Sequence, residues 1–205
     1  MSMVLSSINE AKEFVQNWLK DKSPVVAERL RIEPSVASEL GVDKASKELR
    51  LPPTYTSVLR AVDLSGLSIG YFDFWPGPKP GGDIIKSLTE ANSSDVYQLL
   101  SLSEKQIAIV GGEGGDLICV GVADSEHTDS VYYVSVSNSE SVCPVEISDE
   151  FEKFFLICAN LYYIFGWNDD PNESKKAFLR YCEEIELGTE ALKFWKEYAS
   201  GYWGN

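Results

Sequence analysis

The residues best suited to chemistry in this 205-residue chain are few: one histidine, four cysteines, a glycine-rich acidic run and a surplus of carboxylates. His127 stands in Asp124-Ser125-Glu126-His127-Thr128-Asp129, a turn-forming segment. A Ser-His-Asp or Cys-His arrangement needs its imidazole held by a second group and aimed at a nucleophile. Ser125 is too near along the chain for that, and no cysteine has the polar, cationic neighbours that lower a thiol pKa. Asp124, Glu126 and Asp129 invite a calcium reading, but a calcium loop needs a glycine at its sharp turn and a distal bidentate Glu. No glycine lies between Asp124 and Asp129, so the segment reads as a hairpin loop. The run Gly111-Gly112-Glu113-Gly114-Gly115-Asp116 lacks both the Gly-Lys-Ser/Thr of a phosphate loop and the dinucleotide fingerprint. Glu113 and Asp116 would also repel a phosphate, and the glycines suit a turn with positive φ between two strands. Acids for glycoside hydrolysis are plentiful, yet no pair stands out. Trp75, Trp167, Trp195 and Trp203 fit buried core positions better than a sugar site. No catalytic residue, metal or cofactor is therefore expected.

Charge narrows the partners. Against 32 Asp and Glu stand 18 Lys and Arg, a formal net charge of −14. Nucleic acid and anionic membrane surfaces bind through cationic patches, so neither is an expected partner. A basic protein would be attracted and steered toward such a surface. The charge is also uneven, because Gln106 to Glu152 contains no Lys or Arg but does contain Glu113, Asp116, Asp124, Glu126, Asp129, Glu140 and Glu146. This stretch reads either as a solvating face or as a surface for a cationic partner. Met1 to Ser7 has no secretory character, and the apolar run Phe154 to Trp167 is interrupted by Asn160 and short of a membrane span. Cys119, Cys143, Cys158 and Cys182 lie far apart and read as small core residues, reduced in a cytoplasmic protein.

The elements that must position these residues follow from periodicity. Ser7 to Glu10 is a capping box ahead of Ile8, Ala11, Phe14, Val15, Trp18 and Leu19 at helical spacing, with an end near Asp21 to Pro24. Pro34 to Leu40, closed by Gly41, predicts a short second helix, with a mixed-charge stretch Asp43 to Arg50 after it. Pro52 and Pro53 start another helix, with Tyr55, Val58, Leu59 and Val62 as its buried stripe and Gly66 as its stop. Ser68 to Trp75 is rich in β-formers, and the proline-glycine run from Pro76 breaks it. A helix is expected over Asp83 to Ala91, then strands at Ile107 to Val110, Leu117 to Val122 and Val131 to Val136. Short connections make these an antiparallel meander. Ser148 or Asp149 caps a helix that is apolar nearly all round and should lie buried, with Asp149, Glu150 and Glu152 in its first turn. Two amphipathic helices follow, one carrying Phe178, Tyr181, Cys182 and Ile185, the other Leu192, Trp195 and Tyr198. The fold class is α+β.

Three segments in this order resemble a known family. Leu51-Pro52-Pro53-Thr54-Tyr55 with Val58-Leu59 and Gly66, the strand Ile107 to Val110 entering the glycine-rich turn, and the helix start Ile147 to Phe155 are together similar to the SUKH superfamily in its Smi/Knr-type branch. The resemblance covers about Leu40 to Trp167, with 168–205 as a helical extension of a single domain. It implies an α+β fold with a mixed, largely antiparallel sheet and flanking helices, and no catalytic residues. Bacterial members are mainly immunity proteins, often beside nuclease toxins, and fungal relatives regulate cell-wall assembly. Two departures mark this chain: Asp63-Leu64-Ser65-Gly66 replaces the usual Asn-Gly, and the tail exceeds the usual domain.

Two functions follow as expectations. One is a cytoplasmic immunity protein whose Glu113, Asp116, Asp124, Glu126 and Asp129 meet the basic surface of a cognate toxin. The alternative is a regulatory scaffold or small-ligand sensor, with a pocket formed by the glycine-rich loop and Tyr71, Phe72, Phe74 and Trp75.

Overall fold

The computed structural model describes residues 4–22, 32–76, 82–137, 143–167 and 170–203. The chain opens with α1 (Ile8–Glu13), which runs through a π-helical turn (Phe14–Leu19) into α2 (Lys20–Lys22). The Ser7 hydroxyl accepts the Glu10 N–H at 3.2 Å, as a capping box requires. The Glu10 carboxylate, however, reaches back to the Ser6 N–H at 2.7 Å rather than to Ser7. The expected helix end at Pro24 lies outside the described residues.

The short helix expected over Pro34 to Leu40 does not form. Pro34 makes an isolated bridge with Val62, and α3 (Glu39–Leu49) begins only after Ser38. The Ser38 hydroxyl accepts the Gly41 N–H at 3.1 Å, so Gly41 lies in the first turn instead of marking a stop. The mixed-charge stretch is the body of the helix, and Arg50 ends it in the left-handed region at φ 53°. Next come α4 (Pro53–Ala61), with Pro53 at the position where a missing N–H costs nothing, and the hairpin β1 (Ser68–Ile69) and β2 (Phe72–Asp73). Asp83 caps α5 (Ile84–Asn92), and Ser94 caps α6 (Asp95–Leu99), a turn that carries no periodic signal.

The sheet continues with β3 (Ile107–Glu113), β4 (Asp116–Gly121), β5 (Val131–Val134) and β6 (Val145–Ser148). Its six strands lie in sequence order, and every pairing between them is antiparallel. One face sends Ala108, Val110, Ile118, Val120 and Val131 into the main core. The other sends Ile107, Ile109, Cys119, Tyr132 and Val134 into a second, smaller cluster closed by Leu100 and Leu102. Both faces are thus covered, which explains the near-continuous apolar run of β3 where alternation would otherwise appear.

The main core is organised around α7 (Phe151–Trp167). Phe151, Phe154 and Phe155 meet Phe74 at ring-centroid distances of 6.0, 5.5 and 5.1 Å, and Phe72 lies 5.4 Å from Phe154. The tail forms α8 (Pro171–Glu184) and α9 (Thr189–Trp203) and packs on this core, with Phe178, Cys182 and Trp195 fully buried. Cys119 and Cys158 are core residues too, whereas Cys143 is exposed, contrary to the sequence expectation.

Side chains complete hydrogen bonding where regular pairing stops. The Asn92 amide takes the Ile109 N–H at 2.7 Å and donates to the Ile109 carbonyl at 2.8 Å, standing in for a strand along β3. The indole of Trp195 donates to the Ile147 carbonyl on β6 at 2.8 Å. Buried Asn160, on α7, pairs with both backbone groups of Leu5 at 2.8 Å each. Asn160→Ala strands two buried peptide groups and is expected to lower unfolding free energy by about 2–3 kcal/mol in a denaturant titration.

Candidate functional site

The five acids singled out in the sequence divide between the two ends of β4. Glu113 and Asp116 flank the β3–β4 turn, while Asp124, Glu126 and Asp129 follow the opposite end of the strand. The strand between them spans roughly 17 Å at ~3.4 Å per residue.

At the first end, Gly114 and Gly115 form a two-residue turn with φ 57° and 104°, and Glu113 stands opposite Asp116. Asp116 serves the fold: it accepts from the Tyr133 hydroxyl, from the Val136 N–H at 2.7 Å and from the Ser135 hydroxyl at 3.3 Å. Those bonds hold the end of β5 against the turn. Glu113 has a looser hold, a Tyr133 hydroxyl at 3.4 Å. Partial burial raises its pKa, the Tyr133 bond works against that rise, and the charges of Asp116 and Asp73 add to it. The Tyr133 hydroxyl is itself pushed up, first by desolvation and then by its bond to Asp116. The Tyr133 phenol therefore stays protonated at neutral pH.

Asp73 arrives on β2, which crosses β3 so closely that a Cβ at Gly111 would lie 2.2 Å from the Asp73 carbonyl oxygen. That approach opens a cleft of about 380 Å³ between the second face of the sheet and α6. Trp75, Val96, Ile109 and Leu117 line it together with Asp73, Glu113 and the bare backbone of Gly111 and Gly112. Of the aromatics expected at a pocket, only Trp75 is on its wall. Phe72 and Phe74 belong to the main core, and Tyr71 is exposed at the β1–β2 turn with φ 72°.

At the second end, the loop after β4 is tied down at several points. A Cβ at Gly121 would lie 1.8 Å from the His127 carbonyl oxygen, so only glycine lets the loop fold back there. Arg50 grips Ala123 twice: its guanidinium donates to the Ala123 carbonyl at 2.8 Å, and its own carbonyl accepts the Ala123 N–H at 2.6 Å. A stretch free of cations in sequence therefore has one beside it in space. Asp129 accepts the Thr54 hydroxyl at 2.7 Å, a link between this loop and the start of α4. Asp124 and Glu126 are exposed, and their side chains make no hydrogen bond or ion pair among the described residues. His127 is exposed beside the Tyr132 ring, and the Ser125 hydroxyl donates to the Val122 carbonyl at 2.7 Å.

Chemistry elsewhere is subdued. Burial pushes the Cys119 and Cys158 thiols up and the Cys182 thiol up to about 12, so all three are protonated at neutral pH and poor nucleophiles. Among the described residues, no three His, Cys, Asp or Glu side chains are placed to share a metal ion. No helix among them is long and apolar enough to cross a membrane. Asp73, Val96, Arg50 and Thr54 were not legible as site residues, because each reaches its place through packing from another element.

Two consequences are measurable. Gly121→Ala must displace the loop and is expected to cost about 1–3 kcal/mol, with faster amide exchange at Val122 and Ala123. Glu113 has a folded pKa above its ordinary 4.5, so its contribution is present below that value and lost as pH rises through the folded pKa. Glu113→Gln keeps an acceptor for Tyr133, and its melting temperature should exceed the parent's at neutral pH and match it near about pH 4.

The family model for SUKH proteins described as SMI1-KNR4 cell-wall matches residues 45–155, more than half of the chain. No curated protein matched the chain by sequence. The matched span includes β1 to β6, the glycine-rich turn, the tethered loop and the start of α7. By that match the chain belongs to the SUKH family of the SMI1-KNR4 cell-wall type.

Proposed function

We propose that this protein is a non-enzymatic binder that acts in the cytoplasm as an immunity protein, neutralising a basic toxin, nuclease-like in character, by covering its cationic surface. The observation that carries this reading is the loop after β4. Its backbone is pinned by Gly121, Arg50 and Thr54, while Asp124 and Glu126 remain exposed and serve no internal bond. A held loop presenting unpaired charge loses little entropy on binding. Family membership and the net charge of −14 support the same reading. A nuclease needs a cationic site for its substrate, so an acidic protein is attracted to the very surface it must block.

Not every acid contributes in the same way. Asp116 and Asp129 use carboxylate oxygens to hold the fold, so Asp124 and Glu126 are the acids left to make direct contacts, with Glu113 near the cleft. The cleft beside Trp75 favours a second reading, a regulatory scaffold or small-ligand sensor of the cell-wall-regulator kind, in which no toxin is involved.

A paired substitution, Asp124→Asn with Glu126→Lys, separates the two, Asn being tolerated at the left-handed backbone of position 124 (φ 64°). It is expected to slow association with the toxin by about tenfold or more at low salt, with the gap closing at high salt and folding unchanged. Stopped-flow association reads the effect, and an unaltered rate at low salt contradicts it.

A further inference from the structure

The cleft at the β3–β4 turn has a feature that its volume alone does not explain. Trp75 is 8% exposed, lines the cleft, and its indole N–H is buried without an acceptor. An orphaned buried donor is uncommon and destabilising. Tyr55 and Tyr132 also hold unpartnered hydroxyls, but neither lines this cleft. The rest of the lining has a consistent chemistry. Val96, Ile109 and Leu117 give an apolar floor, and among the described residues that line it the charged ones are Asp73, Glu113 and Asp116, with no Lys or Arg. Val96 is 40% exposed on α6, so part of that floor is open to solvent.

A ligand that suits these walls needs three properties together. It must bring a hydrogen-bond acceptor for the indole, an apolar group for the floor and positive charge for the carboxylates. Anions are repelled by Asp73 and Glu113, and a bare cation offers the indole nothing. A second copy of this chain would bring its own net charge of −14 against the acids. An extended segment of a basic protein has all three: a backbone carbonyl, an apolar side chain and flanking Lys or Arg. Gly115 favours the same guest, because nothing stands within 4 Å of where its Cβ would be and another backbone can come close there.

We propose that the cleft lined by Trp75, Val96 and Glu113 docks an extended segment of a partner protein, an apolar residue flanked by basic ones, whose carbonyl accepts the Trp75 indole N–H. This rests on the reading that the protein acts by binding another protein. It adds a second contact, about one strand length from the tethered acidic loop. The loop steers and the cleft anchors.

The test is an NMR titration of the ¹⁵N-labelled full-length chain. Its five tryptophans give few indole signals, and Trp75→Phe identifies the one that matters. Acetyl-Arg-Leu-Arg-amide is the probe, with acetyl-Glu-Leu-Glu-amide and a neutral disaccharide as the other arms. The cationic peptide is expected to move the Trp75 indole proton downfield together with the amides of Gly111, Gly112 and Gly115, and to bind about fivefold more weakly at high salt. Val96→Arg places a cation in the cleft and should weaken this binding about tenfold. Glu113→Gln, which preserves the Tyr133 bond, should weaken it about threefold and serves if the first variant folds poorly. The proposal is overturned if the cationic peptide leaves the Trp75 signal in place, or if the anionic peptide or the sugar moves it equally. The titration uses no toxin, so its failure leaves the partner reading standing. Loss of toxin binding with the peptide shift intact would overturn that reading alone.

Discussion

A helix that is apolar on almost every side can exist in water only if something covers each side, and α7 imposes that requirement on the whole molecule. Phe151, Phe154 and Phe155 take one flank against Phe72 and Phe74 of the first hairpin. Tyr55 of α4 meets Phe151 edge to face at 4.7 Å. Phe178 and Trp195 from the tail meet each other at 5.9 Å, with Trp195 also 6.4 Å from Phe154. The segment before α1 closes a further side through Asn160 and Leu5. Each covering element is short of its own core, so its position is set by what α7 leaves uncovered.

Surrounding a helix in this way creates edges, and the edges are closed by side chains. Asn92, Asn160 and Trp195 each put a side-chain donor or acceptor where a neighbouring strand would have put a peptide group. The backbone groups of Ile109, Leu5 and Ile147 are thereby paired, as burial demands. The closing helices α8 and α9 lie beyond the family match at residues 45–155, yet Trp195 bonds to a strand within it. The extension is bonded to the core that precedes it.

Much of the architecture was legible in the residues. The glycine pair at 114–115 reads as a positive-φ turn and is one. The β3 and β4 runs and the all-round apolar character of α7 are plain in the sequence. What escaped was set by contacts at long range. Gly41 looks like a helix stop, but Ser38 caps a helix that runs through it. The strand β6 is four residues long, too short for a periodic signal, so it is defined by pairing with β5. For the site, sequence yields a list of acids without their geometry. Only coordinates separate Asp116 and Asp129, bound into the fold, from Asp124 and Glu126, which are not. Glycines 111 and 121 likewise look like ordinary loop residues until the carbonyls of Asp73 and His127 are seen against them.

The division that follows is between carboxylates bonded into the fold, Asp116 and Asp129, and carboxylates left without an internal bond, Asp124 and Glu126. Glu113, whose pKa is raised by burial and by two like charges, costs stability at neutral pH. The most direct measurement is survival of cells expressing a toxic product encoded beside this chain, with and without the chain itself, followed by sizing of any complex. Restored survival with a one-to-one complex that weakens in salt is the expected result. Survival unchanged by the chain, for every toxic neighbour tried, would contradict the immunity reading.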